Sequence, residues 1–376
     1  MSAPPDPVAL AQALIRCASV TPRDADAQDV LASCLTACGF AVTRLPFGNV
    51  ANLFARIGTG GPHLCFAGHT DVVPPGDEAA WSAGPFAGTL RDGSLWGRGA
   101  CDMKGAIAAF VAAAARHLAA GPPRGSLSLL ITGDEEGEAI DGTAKVLAWM
   151  AGEGQLPDFC VVGEPTNPER IGEVVKIGRR GSLSAKIMVR GRQGHVAYPA
   201  RADNPVHRLL AALTDMLAEP LDGGSEWFAP SSLQVTSVDV GNPTANIIPA
   251  EARAALNIRF NDRHSAASLE AWLRTTLAKH TPDARLAAAT SGEAFLTQPG
   301  PQVASLLAAV ESVTGIAPRL DTGGGTSDAR FIARYCPVAE FGLVGATMHG
   351  IDERVPVADL LALTDIYRVL IGGFLP

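Results

Sequence analysis

Charged side chains are scarce in this sequence, and acidic ones outnumber basic ones. Asp, Glu, Lys and Arg make up 18% of the 376 residues, against about 25% in an average soluble protein. The 30 basic and 38 acidic residues give a formal net charge of −8, and no Lys/Arg run is longer than Arg179-Arg180. Because a nucleic-acid-binding surface needs a basic patch or stripe, the sequence predicts no nucleic-acid partner.

Paired cysteines and long apolar runs are missing as well. The seven cysteines are odd in number and lack CxxC or CxxH spacing, which argues against a disulfide framework and a thiolate metal site. The most apolar stretch, 360–375, contains Asp365 and Arg368 and is shorter than the roughly 20 residues that a membrane span requires. The first residues do not resemble a signal peptide. We therefore expect a cytoplasmic protein that makes no membrane contact.

The common cofactor and nucleophile motifs are also absent. Neither GxGxxG nor GxSxG occurs, so the sequence contains no usual dinucleotide fingerprint and no usual serine nucleophile elbow. The loop at 323–328 is glycine-rich, but no Lys follows it as in a P-loop. The chemistry must therefore come from other residues.

The apolar pattern changes twice along the chain. Apolar strand-like runs at 51–57, 64–67, 127–132 and 159–162 alternate with helical stretches at 106–120 and 143–150. This order predicts an α/β catalytic domain with a mostly parallel mixed sheet and helices on both faces. From 179 to 292 the pattern instead predicts a ferredoxin-like βαββαβ domain, with elements at 182–189, 205–217, 233–240, 252–260, 266–279 and 285–289. We expect residues 1–178 and 293–376 to form the catalytic domain, with 179–292 inserted into it.

Five short segments place acidic or histidine side chains just past a predicted strand or at the start of a helix. They are Gly68–Pro74, Gly97–Gly105, Thr132–Gly137, Val162–Thr166 and Thr347–Gly350. In an open α/β sheet, ligands bind in the crevice outside the carboxyl ends of the strands. Imidazoles and carboxylates without thiolates suit Zn²⁺, Mn²⁺ or Co²⁺ at a hydrolytic site. The segments together therefore predict a metal centre.

The residue types within these segments suggest which residues bind metal, which act as a base and which orient a ligand. In the adjacent pair Glu135-Glu136, one carboxylate can bind a metal while its neighbour faces the attacking water as a general base. His69 and Asp71 lie two apart on a strand end, so Asp71 can orient the ring of His69. Structural alternatives remain open, because Asp102 could cap the following helix and Glu164 could begin the turn at Pro165.

The five segments together resemble the dinuclear zinc peptidase and deacylase family, and the resemblance covers the whole chain. Several stretches are similar to the desuccinylase branch of that family, namely 163–166, 174–183, 194–199, 246–249 and 324–331. The resemblance implies two Zn²⁺ ions per subunit, with Co²⁺ or Mn²⁺ as substitutes. Asp102 would bridge the ions, His69 and Glu164 would complete one site, and Glu136 and His349 the other.

The resemblance also implies the remaining roles. Glu135 would act as general base and then acid, Asp71 would support His69, and the peptide after Asp102 would be cis. The inserted domain would be both a lid and the homodimer interface, and its His195 would reach the partner's active site to stabilise the oxyanion. Substrate-binding groups would come from Arg179, Ser182, Tyr198, Asn246, Arg259 and Thr326.

The implied reaction is hydrolysis of the small molecule N-succinyl-L,L-2,6-diaminopimelate to succinate and L,L-2,6-diaminopimelate, a step towards lysine. An acetylornithine deacetylase or a related N-acyl-amino-acid amidohydrolase would use the same zinc chemistry, and a zinc-poor binding protein would share the fold. Both alternatives stay open at the level of sequence. One departure from the pattern is Gly345, where some family members have Asn four residues before the last metal-binding histidine.

Overall fold

The computed structural model describes residues 3–375, which form two compact units. The first contains the described residues up to Ile177, Thr297–Asp321 and the described residues from Ser327 onward. The second contains Gly178–Leu296 and Thr322–Thr326. Within 3–375, no helix combines the length and the apolar character needed to cross a bilayer.

The helices, in chain order, are α1 Pro7–Arg16, α2 Ala27–Ala37, α3 Gly105–Leu118, α4 Thr143–Gly152, α5 Pro205–Leu217, α6 Ala266–His280, α7 Pro301–Thr314, α8 Ala329–Ile332 and α9 Val357–Phe374. The strands up to residue 179 are β1 Ala41–Arg44, β2 Leu53–Gly58, β3 His63–His69, β4 Thr89–Arg91, β5 Ser94–Trp96, β6 Ser126–Thr132, β7 Phe159–Val162, β8 Val174–Lys176 and β9 Gly178–Arg179. The later strands are β10 Gly181–Arg190, β11 Gly194–His195, β12 Ser232–Asp239, β13 Ile247–Ile248, β14 Glu251–Phe260, β15 Arg285–Gly292, β16 Phe295–Leu296, β17 Arg319–Asp321, β18 Val338–Glu340 and β19 Arg354–Pro356.

The first unit is built on a mixed sheet in the order β1-β2-β6-β3-β7-β18-β8-β17. The central neighbours β6, β3, β7 and β18 run parallel to one another. Every residue of β3, β6 and β7 is buried, and because successive side chains point to opposite faces, both faces of these strands are covered. This confirms the expected α/β fold with a mostly parallel sheet between helices.

Local signals explain where the helices begin. The Asp6 carboxylate accepts hydrogen bonds from the amides of Val8 and Ala9, and Pro7 occupies the first helical position of α1. Asn204 caps α5 in the same way, with Pro205 following it. Both caps satisfy amides that a helix start otherwise leaves without partners.

The second unit has its own sheet and its own core. The antiparallel order β12-β14-β10-β15 is the ferredoxin-like one, with α5 and α6 as the connecting helices. Strand β10 alternates buried and exposed residues over most of its length, as a half-covered sheet does. Its buried side chains pack in one cluster with apolar residues of α5 and α6, including Leu209 and Leu273.

Candidate metal centre

Parallel strands of the first unit bring three of the predicted acidic or histidine segments to one edge of the sheet. Strand β3 ends at His69, and β6 ends three residues before Glu135. Strand β7 ends two residues before Glu164. Because β3 pairs in parallel with both β6 and β7, the carboxyl ends of all three strands meet at this edge.

Asp102 reaches the same place from an irregular turn, Ala100–Lys104, that precedes α3. Gly99 enters this turn with φ +85°, a conformation that side-chain-bearing residues rarely adopt. A Cβ on Gly105 would lie 2.4 Å from the carbonyl oxygen of Ala100, so the turn also requires glycine at its end. The Asp102–Met103 peptide is cis, as expected.

The two oxygens of the Asp102 carboxylate face two different imidazoles. Its Oδ1 lies 3.2 Å from Nε2 of His69, and its Oδ2 lies 3.2 Å from Nε2 of His349. On the first side, Oε1 of Glu164 is 3.6 Å from the same His69 nitrogen. On the second side, Oε1 of Glu136 is 2.9 Å from Nε2 of His349. Asp102 thus lies between two pairs, each consisting of an imidazole and a carboxylate.

The Glu135 carboxylate also lies close to His69. Ligand atoms of His69, Asp102 and Glu136 all lie within 4.8 Å of one another, and so do those of His69, Glu135 and Glu164. Glu135 is therefore brought to the centre together with the five residues assigned to metal binding by resemblance. Of the adjacent pair, Glu135 lies near His69 and Glu164, whereas Glu136 lies near His349.

Asp71 organises the centre in a different way from that suggested by the sequence. The ring nitrogen Nδ1 of His69 is 2.9 Å from the backbone carbonyl of Asp71 and 3.7 Å from its carboxylate. The carboxylate accepts hydrogen bonds from the amides of Glu135, at 3.3 Å, and Glu136, at 3.0 Å. Asp71 therefore fixes the His69 ring through its main chain and the Glu135-Glu136 segment through its side chain.

Burial and crowding of like charges perturb the ionisation of these groups. Burial raises the pKa of Glu135 to about 8, and the neighbouring charges of Glu136 and Asp102 act in the same direction. Burial and the charge of Asp102 raise the pKa of Glu164 well above its ordinary value. Hydrogen bonds to Asp102 and Glu136 raise the pKa of His349 to about 10.

The raised pKa values of Glu135 and Glu164 are expected for a cation-binding site in which the carboxylates have no cation beside them. Carboxylates crowded in a buried site repel one another, and a bound divalent cation is the group that removes this cost. The donor set of two imidazoles and several carboxylates also matches hydrolytic zinc, cobalt or manganese sites. The residues present therefore fit a pair of divalent ions.

The second unit holds the other candidate residues in two clusters. In the first, His195 lies on β11 opposite Ile247, is exposed, and its ring centroid is 5.7 Å from that of Tyr198. The carbonyl of Asn246 accepts a hydrogen bond from the amide of Val196. His195, Tyr198 and Asn246 are thus neighbours on one exposed corner.

The second cluster lies around the start of β10. Ser182 is in register with Arg259 on β14, and Asn257 joins them by donating to Ser182 Oγ and accepting from Arg259 Nε. Arg179 donates to the carbonyl of Gly325 at 3.1 Å, which places its guanidinium beside the Gly325–Thr326 segment. Ser182 and Arg259 are therefore joined through Asn257, and Arg179 lies beside Gly325.

Sequence reasoning overlooked two buried charged residues beside the candidate metal centre, Arg98 and Glu353. Glu353 Oε1 accepts hydrogen bonds from the amides of Cys101 and Asp102, and Arg98 donates to the carbonyl of His349. The available signal was weak. Arg98 lies between two glycines four residues before Asp102, and Glu353 follows His349 by the same distance.

Comparisons with known proteins agree with this architecture. Residues 65–372 match the model of peptidase family M20/M25/M40. A curated protein of Gluconacetobacter diazotrophicus, named succinyl-diaminopimelate desuccinylase, is 66% identical over 367 residues, which cover 96% of this chain and 95% of the relative.

Two solved structures share the fold at low sequence identity. An M20 family metallo-carboxypeptidase of Sulfolobus solfataricus superposes with a TM-score of 0.78 at 15% identity, covering 98% of each chain. A dinuclear metal-binding peptidase of the M20 family from Bacillus subtilis gives a TM-score of 0.72 at 13% identity, covering 98% of this chain and 97% of its own.

Proposed function

This chain belongs to peptidase family M20/M25/M40, and we propose that it hydrolyses N-succinyl-L,L-2,6-diaminopimelate to succinate and L,L-2,6-diaminopimelate. It is a metal-dependent amidohydrolase, and its 66% identical relative is a succinyl-diaminopimelate desuccinylase. The observation that carries the chemistry is the Asp102 carboxylate, whose oxygens face His69 and His349 at 3.2 Å each. The reaction is a step in the biosynthesis of lysine and diaminopimelate.

We assign the ligands from this geometry. Asp102 would be shared by the two ions, His69 and Glu164 would hold one ion, and Glu136 and His349 would hold the other. Two Zn²⁺ ions, or Co²⁺ or Mn²⁺ in their place, would polarise the amide carbonyl and lower the pKa of a water molecule. The dinuclear relative from Bacillus subtilis has the same fold and supports a pair of ions.

Glu135 is the proposed proton carrier. It lies within the same group of side chains as His69 and Glu164, and its neighbour Glu136 is left to bind metal. Glu135 accepts a proton from the attacking water and then donates it to the leaving amine, so that one carboxylate serves as base and then as acid. Asp71 supports this step by holding the Glu135 and Glu136 amides.

The second unit provides the remaining proposed groups. His195 is exposed and can donate a hydrogen bond to the oxygen of the reacting carbonyl. We assign it to the partner subunit's active site in a homodimer formed through residues 179–292. The carboxylates of the substrate would be bound by the cationic, hydroxyl and amide groups of Arg179, Ser182, Tyr198, Asn246, Arg259 and Thr326.

The proposed catalytic domain consists of residues 1–178 and 293–376, and the proposed lid and dimerisation domain of residues 179–292. The compact units divide the chain at slightly different places, because Gly178–Leu296 and Thr322–Thr326 belong to the second unit. All seven cysteines are free thiols, which is consistent with a reducing cytoplasm as the proposed location.

The direct test compares substrates on the purified protein after incubation with zinc, and the zinc that stays bound is measured. Succinate release from N-succinyl-L,L-2,6-diaminopimelate should have a kcat/KM at least about a hundredfold above that for acetate release from N-acetylornithine, because hydrogen-bonding sites discriminate strongly between acyl groups. Comparable or higher turnover of N-acetylornithine would instead identify a deacetylase. Absence of turnover on both, with less than half an equivalent of tightly bound zinc, would favour a binding protein.

A further inference from the structure

A buried ion pair lies beside the metal cluster, and none of the roles proposed above uses it. The guanidinium of Arg98 is 2.6 Å from the carboxylate of Glu353, and the two side chains are 2% and 0% exposed. The residues are 255 positions apart in the chain. The pair therefore joins two distant segments, one leading to Asp102 and the other following His349.

Glu353 holds the segment that carries Asp102. Its Oε1 accepts a hydrogen bond from the amide of Cys101 at 3.0 Å and from that of Asp102 at 3.3 Å. The thiol of Cys101 donates to the same oxygen at 3.2 Å. The other oxygen, Oε2, binds Arg98, so both sides of the carboxylate are engaged.

Arg98 holds the segment that carries His349. Its Nη2 donates to the carbonyl of His349 at 3.2 Å and to that of Pro74 at 3.4 Å. His349 has a φ of +61°, a left-handed conformation that is uncommon for a residue with a side chain. Such a conformation persists only when surrounding contacts fix it, and the Arg98 hydrogen bond is one such contact.

The arrangement is reciprocal. Arg98 precedes Asp102 by four residues yet binds the main chain of His349, and Glu353 follows His349 by four residues yet binds the main chain of Asp102. Pairing of β5 with β19 and a 2.9 Å hydrogen bond from the Gly97 amide to the Glu353 carbonyl align the two segments. The position of Asp102 therefore depends on the segment that carries His349, and the position of His349 depends on the segment that carries Asp102.

Stability alone is a poor explanation for this pair. Removing two charges from water is costly, and apolar side chains of similar volume often replace a buried ion pair without loss of stability. The pair is also incompletely satisfied, because Nε of Arg98 has no hydrogen-bond partner among residues 3–375. Its contacts to two ligand-bearing segments offer a functional reason for its presence.

We propose that Arg98 and Glu353 are positioning residues that set Asp102 and His349 at the separation required by the second metal ion. This inference rests on the proposed function, since it assigns Asp102, Glu136 and His349 to that ion. Loss of the pair should weaken the binding of this ion and lower kcat, while KM stays nearly constant. Outer partners of metal ligands typically change metal affinity or activity by about 10–100-fold when mutated.

Three variants and one control separate positioning from general stability. Glu353→Gln keeps the volume and an acceptor oxygen but loses the charge. Arg98→Lys keeps the charge but loses the planar guanidinium with its several N–H donors. Arg98→Met loses both the charge and the guanidinium. The control is Arg56→Met. Arg56 makes two side-chain hydrogen bonds of 2.6 and 2.7 Å, to Gln155 and Ser126, near the other ends of β2 and β6.

The decisive measurement is a Co²⁺ titration of each metal-free protein, monitored by visible absorption. The free energy of unfolding of each variant is measured separately. We expect Glu353→Gln and Arg98→Met to bind the second Co²⁺ about 10–100-fold more weakly with an altered spectrum, and Arg98→Lys to lie between them and the unaltered protein. If Arg98→Met does not fold, the other two variants decide the question. Arg56→Met should lose stability yet titrate normally.

The opposite pattern would overturn the inference. If the folded variants of Arg98 and Glu353 bind both Co²⁺ ions with unaltered affinity and spectrum, and differ only in the free energy of unfolding, the pair is structural. Because these titrations contain no substrate, they remain interpretable even if the unaltered protein fails to hydrolyse N-succinyl-L,L-2,6-diaminopimelate. That failure would count against the proposed function alone.

Discussion

Replacement of Glu135 by Gln is the sharpest test of the division of labour within the Glu135-Glu136 pair. The amide side chain keeps the size of the glutamate but cannot carry a proton from water to the leaving amine. General acid–base catalysis typically contributes about 10²–10⁴-fold, which corresponds to about 2.7–5.4 kcal/mol of transition-state stabilisation. We therefore expect kcat for succinate release to fall by that factor.

The structure also predicts what this substitution leaves unchanged. The proposed ligand set does not include Glu135, and its imidazoles and carboxylates contact one another without it. The hydrogen bond from the Glu135 amide to Asp71 involves the main chain, so Gln preserves it. Both metals should remain bound, and KM should change by no more than about threefold because Glu135 acts on the proton rather than on substrate binding.

The assay combines steady-state kinetics of succinate release with metal analysis by atomic emission. The matched control is Glu138→Gln, which alters an exposed glutamate three positions further on and should keep both kcat and zinc. The reasoning is refuted if Glu135→Gln loses zinc but retains measurable turnover. In that case Glu135 would be the ligand and Glu136 the proton carrier.

Three further predictions concern other residues. Asp102→Ala should lower total zinc content as well as rate, because a bridging carboxylate would bind both ions. Near-normal zinc content by atomic emission would instead show that Asp102 acts only as a helix cap. His195→Ala should stay dimeric and zinc-loaded but lose about 10²–10³-fold in kcat; refolding it together with Glu135→Ala should restore activity, and no recovery in verified heterodimers would exclude action across the interface. Burial lowers the pKa of His63 from 6.5 to about 4, so the unfolded chain takes up this proton more readily and stability should fall as the pH drops from about 6.5 towards 4, by on the order of 3 kcal/mol. Urea unfolding of His63→Gln should show a flatter pH dependence in this window, and an unchanged slope would contradict the assignment.

Elements with a clear apolar pattern could be predicted from the sequence. The strand at 159–162 and the helix at 205–217 have the predicted bounds, because turn and cap residues mark their ends. The strand predicted at 51–57 begins instead at Leu53. Asn52 explains the difference, since its side chain donates to the carbonyls of Leu45 and Asp141 and fixes a loop there.

Short strands and long-range contacts could not be predicted in this way. The three-residue strands β4, β5 and β19 form a small sheet of their own, and three residues are too few to show a period. The contact between Arg98 and Glu353 depends on how segments far apart in the chain meet, which no local pattern records. His69, Glu136 and Glu164 were recognisable because each lies at or shortly after a strand end. The main-chain role of Asp71, in contrast, depends on turn geometry.

The central claim is that Asp102 bridges two metal ions. It is tested most directly by anomalous diffraction at the zinc absorption edge from crystals of the zinc-loaded protein. We expect two peaks about 3.5–4 Å apart, one about 2.0–2.2 Å from Oδ1 of Asp102 and the other at the same distance from Oδ2. A single peak, or two peaks that do not share Asp102, would contradict the account.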